Sequence, residues 1–342
     1  MGMVVCFGEV MMRLSTPEFQ RLGQSTAFEL NYGGAEYNVA LALGQLGQAA
    51  RYVSRLPENP MASACMRQMA GFGVDNRFVL RGGERMGIYF MEKGTSMRPS
   101  KVIYDRAHSS FAALKAGDID WKRAFEGADW FHWTGISPAL SDGLVEICRE
   151  ACKTAHEMGL TVSCDPNFRS NLWSRDKARR VLGELMEHVD VLIANEGSAI
   201  DVFDLDADPS LKQGGLMTPE GHRQLSHKLS ERLGFKKVAL TERESLSAED
   251  NNWRASLYDA RTDALSLSRM YKIHIVDRVG GGDAFAAGLI YGMEAGWADQ
   301  KTVDFATAAS ALKHTVEGDF TLTSRDEILS IMQGDGSGRI LR

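Results

Sequence analysis

Short apolar runs alternate with longer amphipathic stretches along most of this chain, and that alternation restricts the fold more than any other feature. The short runs suit strands buried on both faces, whereas the longer stretches have the period of a helix. The strand candidates are residues 4–8, 50–54, 130–134, 161–165, 189–194, 237–240 and 272–276. The helix candidates are residues 35–46, 61–71, 142–158, 175–188, 219–233, 282–295 and 299–315. This order predicts an α/β domain with a mostly parallel central sheet and helices on both faces, and ligands of such sheets bind at the carboxyl ends of the strands.

Two stretches, residues 10–32 and 85–111, break the alternation. The second contains short strand-like pieces at 87–92 and 101–104 around a turn-rich middle, and neither stretch has a helical period. Stretches of this length without a helix are uncommon unless they are functional. We therefore predict one domain over residues 1–342, with both stretches inserted in it as a small antiparallel β lid over the active cleft. Long surface loops are the alternative. A lid of this kind also offers a surface for a homo-oligomer.

Charge and composition argue against several classes of protein. The net charge of −6 disfavours nucleic acid as a partner. No apolar run approaches the length of a membrane span, and the N-terminus lacks the basic region and apolar stretch of a signal peptide. The five cysteines are odd in number and form no CxxC pair, so we expect buried thiols and a cytoplasmic protein. Any anionic substrate must then be held by local basic residues.

The most informative motif is the run DRVGGGD at residues 277–283, between a predicted strand and a predicted helix. Gly280, Gly281 and Gly282 let the backbone turn tightly and expose its N–H groups. A helix N-terminus adds partial positive charge, so the turn suits an anion such as phosphate. A carboxylate at Asp283, beside that phosphate, fits a base that deprotonates an attacking hydroxyl. The alternative is a structural turn in which Asp283 only caps the helix.

The wider run DRVGGGDAFAAG, residues 277–288, resembles the carboxyl-terminal signature of the ribokinase-like carbohydrate kinases. GGAEYNVA at residues 33–40, continued by Leu46 and Gly47, is similar to the amino-terminal signature of the same family. The resemblance covers essentially the whole chain and implies a ribokinase-like fold that uses ATP and Mg²⁺. The site residues that it implies are Gly280, Gly281 and Gly282 around the transferred phosphoryl group, Asp283 as the base, and Gly34 and Asn38 on the sugar.

The chain departs from the family pattern at positions beside the phosphate site. Gly281 stands in place of the usual alanine, which preserves the turn. Arg278 replaces a common threonine near the place where some members hold a monovalent cation, so the resemblance leaves that cation open. Many members bring in magnesium-bound water with an NxxE segment, which here reads NEGS at residues 195–198. We therefore expect no direct metal ligand, with Asn195 and Glu196 acting through water. A helix N-cap is the alternative for Asn195.

Two further segments narrow the substrate. CDPNFR at residues 164–169, followed by Leu172 and Trp173, resembles a segment of fructokinases and 2-keto-3-deoxygluconate kinases. KVIYDRAHS at residues 101–109, together with GIYF at residues 87–90, is closer to the second group, in which a tyrosine and an arginine two positions apart reach the substrate. The residues that this resemblance places on a sugar acid are Gly34, Tyr89, Tyr104, Arg106 and Arg169.

The charge of a sugar acid supports the same choice. Arginine presents a planar pair of donors that matches a carboxylate, and an acidic protein needs such residues to hold one. Arg106 from the lid and Arg169 after a strand end would offset the charge, whereas a neutral ketohexose would not need both. The alternative for Arg106 is an ion pair with surface Asp105 or with another acid, and exposed pairs contribute little to stability.

The expected reaction transfers the γ-phosphoryl group of ATP to the terminal C6 hydroxyl of 2-keto-3-deoxy-D-gluconate and gives 2-keto-3-deoxy-6-phosphogluconate, a step of sugar-acid catabolism. A fructokinase is the nearest alternative. A catalytically inactive sugar sensor and a nicotinamide dehydrogenase are more distant alternatives, since the chain retains Asp283 and lacks GxGxxG after its first predicted strand.

The nucleotide contacts are less marked in the sequence. Thr241 follows a predicted strand, in a segment where the family often binds phosphates through its backbone. Residues 308–315 should form a helix beside the Gly-rich turn, and by resemblance Lys313 and His314 help to shape the nucleotide pocket. A solvated helix face is the alternative. The nucleotide-binding candidates are therefore Asn195, Thr241, Gly280, Gly282, Lys313 and His314.

Overall fold

The computed structural model describes residues 1–205, 209–213 and 215–334. Its strands are β1 (Met3–Phe7), β2 (Met11–Ser15), β3 (Glu29–Gly33), β4 (Ala50–Leu56), β5 (Val79–Arg81), β6 (Gly87–Glu92), β7 (Lys101–Asp105), β8 (Ala128–Thr134), β9 (Thr161–Asp165), β10 (Val191–Asn195), β11 (Lys212–Gln213), β12 (Leu216–Met217), β13 (Lys237–Ser245), β14 (Asp250–Asp259), β15 (Ala264–Leu267) and β16 (Tyr271–His274). Its α-helices are α1 (Ala35–Gln45), α2 (Pro60–Gly71), α3 (Trp121–Ala124), α4 (Ile136–Leu140), α5 (Asp142–Glu157), α6 (Arg175–Leu185), α7 (Glu196–Phe203), α8 (Pro219–Leu233), α9 (Gly281–Glu294), α10 (Asp299–Lys313) and α11 (Arg325–Gln333). Short 3-10 helices lie at Met186–His188 and Pro209–Leu211.

The main sheet has ten strands in the order β15-β14-β13-β10-β9-β8-β1-β4-β5, with β16 paired to β14. From β13 to β5 the neighbouring strands are parallel. Separate hydrophobic cores lie on the two faces, one containing α1, α9 and α10 and the other α5, α6 and α8. Val4, Val5, Cys6 and Phe7 of β1 are fully buried, as expected for a parallel strand covered on both sides. The predicted α/β fold with a mostly parallel sheet is confirmed.

One edge of this sheet differs from the sequence-based prediction. The strand predicted at 272–276 is β16, which runs antiparallel to β14 at the edge of the sheet. The prediction missed β14 and β15, which are also antiparallel. The first half of β14 alternates buried and more exposed residues and begins with the polar run DNN. No continuous apolar run therefore marks this strand in the sequence.

A second sheet of four strands, in the order β3-β2-β6-β7, is formed by the segments 10–32 and 85–111. The prediction that these segments form one antiparallel sheet is wrong in one respect, because the central pair, β2 and β6, is parallel. These two strands come from separate segments of the chain, so no hairpin forces them to be antiparallel. The function of this sheet as a lid stays a prediction.

The second sheet is fixed to the main domain through a buried arginine. The guanidinium of Arg13 on β2 donates to Asp277 at 2.6 Å and to Asp319 at 2.5 Å, and its side chain is 1% exposed. A buried charge is tolerated only with such partners.

Among the described residues, no helix combines the length and the apolar character that crossing a membrane requires.

Candidate active site

A cavity of about 580 Å³ lies at the carboxyl ends of the parallel strands, beneath the second sheet. Glu9 follows β1, Asp165 ends β9, Asn195 ends β10 and Thr241 lies in β13, and all four line the cavity. Tyr89 of β6 lines it from the second sheet. This is the position at which ligands of open parallel sheets bind, so the cavity is the candidate active site.

The Gly-rich turn forms one end of this cavity. Gly280 has a φ of 81°, and a Cβ on it would lie 1.6 Å from the carbonyl oxygen of Asp319, so a larger residue cannot replace it. Helix α9 begins at Gly281 and has no side-chain cap, and the N–H groups of its first turn have no partner within the helix. The turn therefore offers backbone donors and the positive end of a 14-residue helix to an anion.

Asp283 lies in the first turn of α9 and lines the cavity. The amide of Asn38 on α1 donates to its carboxylate at 2.6 Å. The interpretation that Asp283 caps the helix is wrong, because Gly280 holds the N-cap position. Burial raises the pKa of Asp283 to about 8, and the negative charges of Asp165 and other nearby acids add to the shift. A carboxyl with such a pKa suits a general base that works near neutral pH.

Glu36 and Asp165 are cavity residues that the sequence analysis did not single out, although both lie inside the quoted motifs. Burial raises the pKa of Glu36 to about 7, although its carboxylate accepts from the backbone N–H of Thr134 at 2.9 Å and from its hydroxyl at 2.7 Å. Burial also raises the pKa of Asp165 to about 6. Their positions inside these motifs are the feature of the sequence that could have identified Glu36 and Asp165.

Gly34 lies between the two sheets and lines the cavity. Its backbone is extended, and a Cβ there would lie 2.1 Å from the carbonyl oxygen of Glu9. Its N–H points to the side-chain oxygen of Asn38 at 3.4 Å. The structure thus brings Gly34, Asn38 and Asp283 together, as the first motif and the Gly-rich turn predict.

The predicted substrate arginines differ in their surroundings. Arg106 donates through Nε to Glu9 at 2.8 Å, and its Nη2 also contacts that carboxylate. The alternative of an ion pair is therefore confirmed for an acid other than Asp105, because Arg106 pairs with buried Glu9 whereas Asp105 binds Arg85. Arg169 is exposed and donates to the carbonyl of Phe168 at 3.2 Å.

Two tyrosines of the second sheet stand side by side at the same end of the cavity. Tyr89 and Tyr104 are opposite each other on β6 and β7, with ring centroids 5.8 Å apart. The hydroxyl of Tyr89 contacts Asp319, whereas Tyr104 is 41% exposed and its ring lies 5.7 Å from the guanidinium carbon of Arg106. Of these two tyrosines, only Tyr89 has a hydroxyl hydrogen bond within the described part of the chain, so the hydroxyl of Tyr104 is the better placed for a ligand.

Asn195, Glu196 and Thr241 line the cavity on its far side. Asn195 is the N-cap of α7, since its side chain accepts from the N–H of Ser198 at 2.8 Å. Glu196 pairs with Lys212 at 2.5 Å. No group of three or more potential metal ligands occurs among the described residues.

Lys313 and His314 lie behind the Gly-rich turn, and neither is among the described residues that line the cavity. The ring of His314 packs beneath Gly281 and beside Trp253, with its Nδ1 2.7 Å from the carbonyl oxygen of Ser310. Both side chains are buried, so the alternative of a solvated face is wrong. Their contact with a nucleotide stays a prediction.

Arg243 and Arg278 also line the cavity, and the sequence analysis did not assign either of them to ligand binding. Arg278 donates to the carbonyl of Ala248 at 3.1 Å. Burial lowers the pKa of Arg243, and the neighbouring charge of Arg278 lowers it further. Among the described residues, neither arginine forms an ion pair with a carboxylate, so both are suited to an anionic ligand.

The cavity has a helix N-terminus open to an anion, a partly buried aspartate beside it and arginines farther along, which suits a small-molecule kinase. The family model described as pfkB family carbohydrate kinase matches residues 1–324. The chain belongs to this family of carbohydrate kinases, and the prediction of a ribokinase-like sugar kinase is confirmed.

Several similar proteins agree with this assignment. The 2-dehydro-3-deoxygalactonokinase of Haloferax volcanii is 32% identical over 335 residues, which are 98% of each chain. The 2-dehydro-3-deoxygluconokinase of Bacillus subtilis is 27% identical over 96% of this chain and 94% of the relative. The crystal structure of 2-dehydro-3-deoxygluconokinase from Thermotoga maritima superposes with a TM-score of 0.93 at 44% identity, and covers 98% of this chain and 100% of that one.

Proposed function

We propose that this chain transfers the γ-phosphoryl group of ATP to the C6 hydroxyl of 2-keto-3-deoxy-D-gluconate and produces 2-keto-3-deoxy-6-phosphogluconate, a step in the breakdown of sugar acids. The observation that carries the proposal is one cavity with a base at Asp283 and an arginine, Arg169, that has no carboxylate partner among the described residues. A sugar acid spans these two groups with its terminal hydroxyl and its carboxylate. The names of the relatives support the same substrate class.

In this proposal Asp283 accepts the proton of the sugar hydroxyl. Asn38 holds the carboxylate of Asp283 toward the substrate with its 2.6 Å hydrogen bond. The backbone N–H groups of Gly280, Gly281 and Gly282 stabilise the charge that develops on the transferred phosphoryl group. The attack requires the ionised form of Asp283. Because burial raises the pKa of this carboxyl, part of the enzyme is in the protonated, inactive form at neutral pH.

The sugar carboxylate binds Arg169, with Arg106 and Tyr104 beside it. Glu9 occupies the Nε side of the Arg106 guanidinium, and Nη1 remains available for a ligand. Glu9 therefore holds Arg106 in place without using all of its donors. Arg169, which forms no ion pair among the described residues, then supplies positive charge at this end of the cavity.

The nucleotide triphosphate is expected to lie toward Arg243, Arg278 and Thr241, with Asn195 as a further candidate contact. Lys313 and His314 would shape this end of the site from behind the Gly-rich turn. Magnesium neutralises phosphate charge in such reactions. The side chains present fit an ion held through water, because Asn195 is used as a helix cap and Glu196, although paired with Lys212, lines the cavity next to it.

The second sheet is proposed to close over the substrate and to exclude water. Its outer face, away from the cavity, carries the row Leu30, Leu14, Phe90 and Ile103 across its four strands. Leu30 is 41% and Ile103 44% exposed. A second copy of the chain would cover this apolar row, so we propose a homo-oligomer formed through the lid, in the cytoplasm.

The test is a panel of substrates with ATP as the donor: both C4 epimers of the 2-keto-3-deoxy sugar acid, fructose, and ribose. The proposal predicts specificity constants for the sugar acids far above those for the neutral sugars. The fructokinase alternative predicts the opposite order. ADP release without a phosphorylated sugar in any of the reactions would contradict both.

A further inference from the structure

Lys313, the last residue of α10, is completely buried directly behind the Gly-rich turn. Its ammonium group lies 3.1 Å from the carbonyl oxygen of Val316 and 3.4 Å from that of Asp277. Among the described residues it makes no direct ion pair. An isolated charge in such a place is costly unless hydrogen bonds or opposite charges compensate it. These two carbonyls are therefore the groups that stabilise the buried ammonium group.

The nearest carboxylate is already occupied by other donors. Asp277 accepts from Arg13 at 2.6 Å, from the N–H of Val279 at 3.1 Å and from that of Gly318 at 3.2 Å. Lys313 therefore contacts the main chain of Asp277 while Arg13 contacts its side chain. Burial lowers the pKa of Lys313, and the charges of Asp277 and Asp319 oppose that shift.

The two carbonyls stand on either side of the catalytic turn. Asp277 is the first residue of the run that leads to Gly280 and Asp283, and Val316 belongs to the loop after α10. A Cβ on Gly280 would lie 3.3 Å from Cε of Lys313, so the lysine stem packs directly beneath the turn. The ammonium group thus ties the start of the turn to the loop behind it.

The end of α10 holds the same segment from its other side. The carbonyl of His314 accepts from the N–H of Val276 at 2.8 Å and from that of Asp277 at 3.2 Å. The carboxyl-terminal end of a helix carries partial negative charge, which favours a cation at Lys313. Position, charge and packing therefore assign the lysine to the turn rather than to a ligand in the cavity.

We propose that Lys313 is a positioning residue whose ammonium group acts as a built-in monovalent cation, binding the carbonyls of Asp277 and Val316 and so removing any need for bound potassium. The ammonium group lies beside Asp277, next to the departure from the family pattern at Arg278, and supplies a positive charge there from within this chain. The inference rests on the proposed function only in taking the Gly280–Gly282 turn as the phosphoryl site.

The first experiment uses the unmodified protein. Phosphoryl transfer is measured in potassium, sodium, ammonium and choline chloride at equal ionic strength. Rates within about twofold of one another are expected, because the charge is already present. A tenfold or greater dependence on potassium would overturn the proposal.

The second experiment uses two variants and a control. Lys313→Ala removes stem and charge and leaves space for a small cation, whereas Lys313→Met keeps the stem without the charge. Both should lose roughly a hundredfold in kcat, the size of effect that follows a small displacement of catalytic groups. Potassium, ammonium or methylammonium should restore Lys313→Ala but not Lys313→Met. Lys153→Met, at an exposed lysine of α5, is the matched control.

Binding of ADP, measured by calorimetry in choline and in potassium, separates this proposal from the choice of sugar. The ADP affinity of Lys313→Ala should depend on potassium even if every sugar in the panel fails as a substrate. Wild-type rates for Lys313→Ala in choline would contradict the proposal. If thermal unfolding shows that Lys313→Ala does not fold, the salt series on the unmodified protein decides alone.

Discussion

The two ends of the cavity are built in different ways. The phosphate end comes from one continuous run, residues 277–283, and offers backbone N–H groups. The sugar end is assembled from separate segments, with Glu9 after β1, Arg106 after β7 and Arg169 after β9, and it offers side chains. In the proposed function the reaction therefore depends on the shape of the main chain, whereas the choice of sugar depends on side chains that can change independently.

The two ends are nevertheless connected. Arg13 belongs to the second sheet, and its guanidinium binds Asp277 at the start of the catalytic turn and Asp319 behind it. Asp319 in turn accepts from Tyr89 at the sugar end. The division between chemistry and selectivity is therefore tested by changing groups at each end and measuring both rate and selectivity.

The largest effect is expected from Asp283→Asn. The amide keeps the shape of the side chain but cannot accept the hydroxyl proton, so kcat should fall by about a hundred- to ten-thousand-fold. The dissociation constants of both substrates should change little, which equilibrium binding checks. Asp176→Asn is the matched control, because Asp176 is also in the first turn of a helix but is exposed. Wild-type turnover in Asp283→Asn would mean that another group is the base.

The contrast between the two ends also explains what the sequence could predict. The proposed phosphate end could be predicted because the turn, the helix start and Asp283 are adjacent in sequence. The pairing of Arg106 with Glu9 joins residues 97 positions apart, and no local pattern reveals it. Arg243 carries no signal in the sequence, because the resemblance of its segment to the family predicts phosphate contacts through the backbone only.

Lys313 and β14 show a second kind of limit. The sequence suggested either a nucleotide contact or a solvated face for Lys313, yet its side chain is fully buried. A lysine is rarely buried, so only the carbonyls brought near it by the fold identify this position. Strand β14 was missed because its polar first half hides the apolar pattern on which the prediction relied.

Arg169→Ala should break the sugar end without breaking the phosphate end. Removing one partner of a desolvated carboxylate should cost about 2 kcal/mol or more, a roughly thirtyfold loss in kcat/KM for the sugar acid. Weak activity on fructose should be largely spared. Arg169→Lys should also be harmful, since an ammonium group cannot reproduce the planar pair of donors.

The measurement for this variant is the ratio of sugar-acid to fructose specificity constants. Arg106→Ala should lower the same ratio, although by less, because Glu9 already neutralises part of its charge. Arg175→Ala, another exposed arginine, is the control. Unchanged ratios in both Arg106→Ala and Arg169→Ala would favour the fructokinase alternative.

Arg243→Ala and Arg278→Ala should each raise the KM for ATP about tenfold, the effect of losing one hydrogen bond to a charged group. The sugar selectivity should stay constant, which places both arginines at the phosphate end. Initial rates at varied ATP give the KM values, and the effect should shrink at high salt. Arg261→Ala, at an exposed position, is the control. A changed sugar ratio with an unchanged KM for ATP would reverse this assignment.

The smallest effect concerns the pH dependence of the base. Asp283 must be ionised to accept a proton, so kcat/KM should rise with pH up to an apparent pKa near 8 and then level off. Asn38 donates to the ionised form at 2.6 Å, so Asn38→Leu removes a stabilising bond and should raise this apparent pKa by about one unit. Glu36→Gln should shift it the other way, because the charge of Glu36 raises the pKa of Asp283. Opposite shifts in the two pH–rate profiles would identify Asp283 as the titrating group, and identical profiles would exclude it.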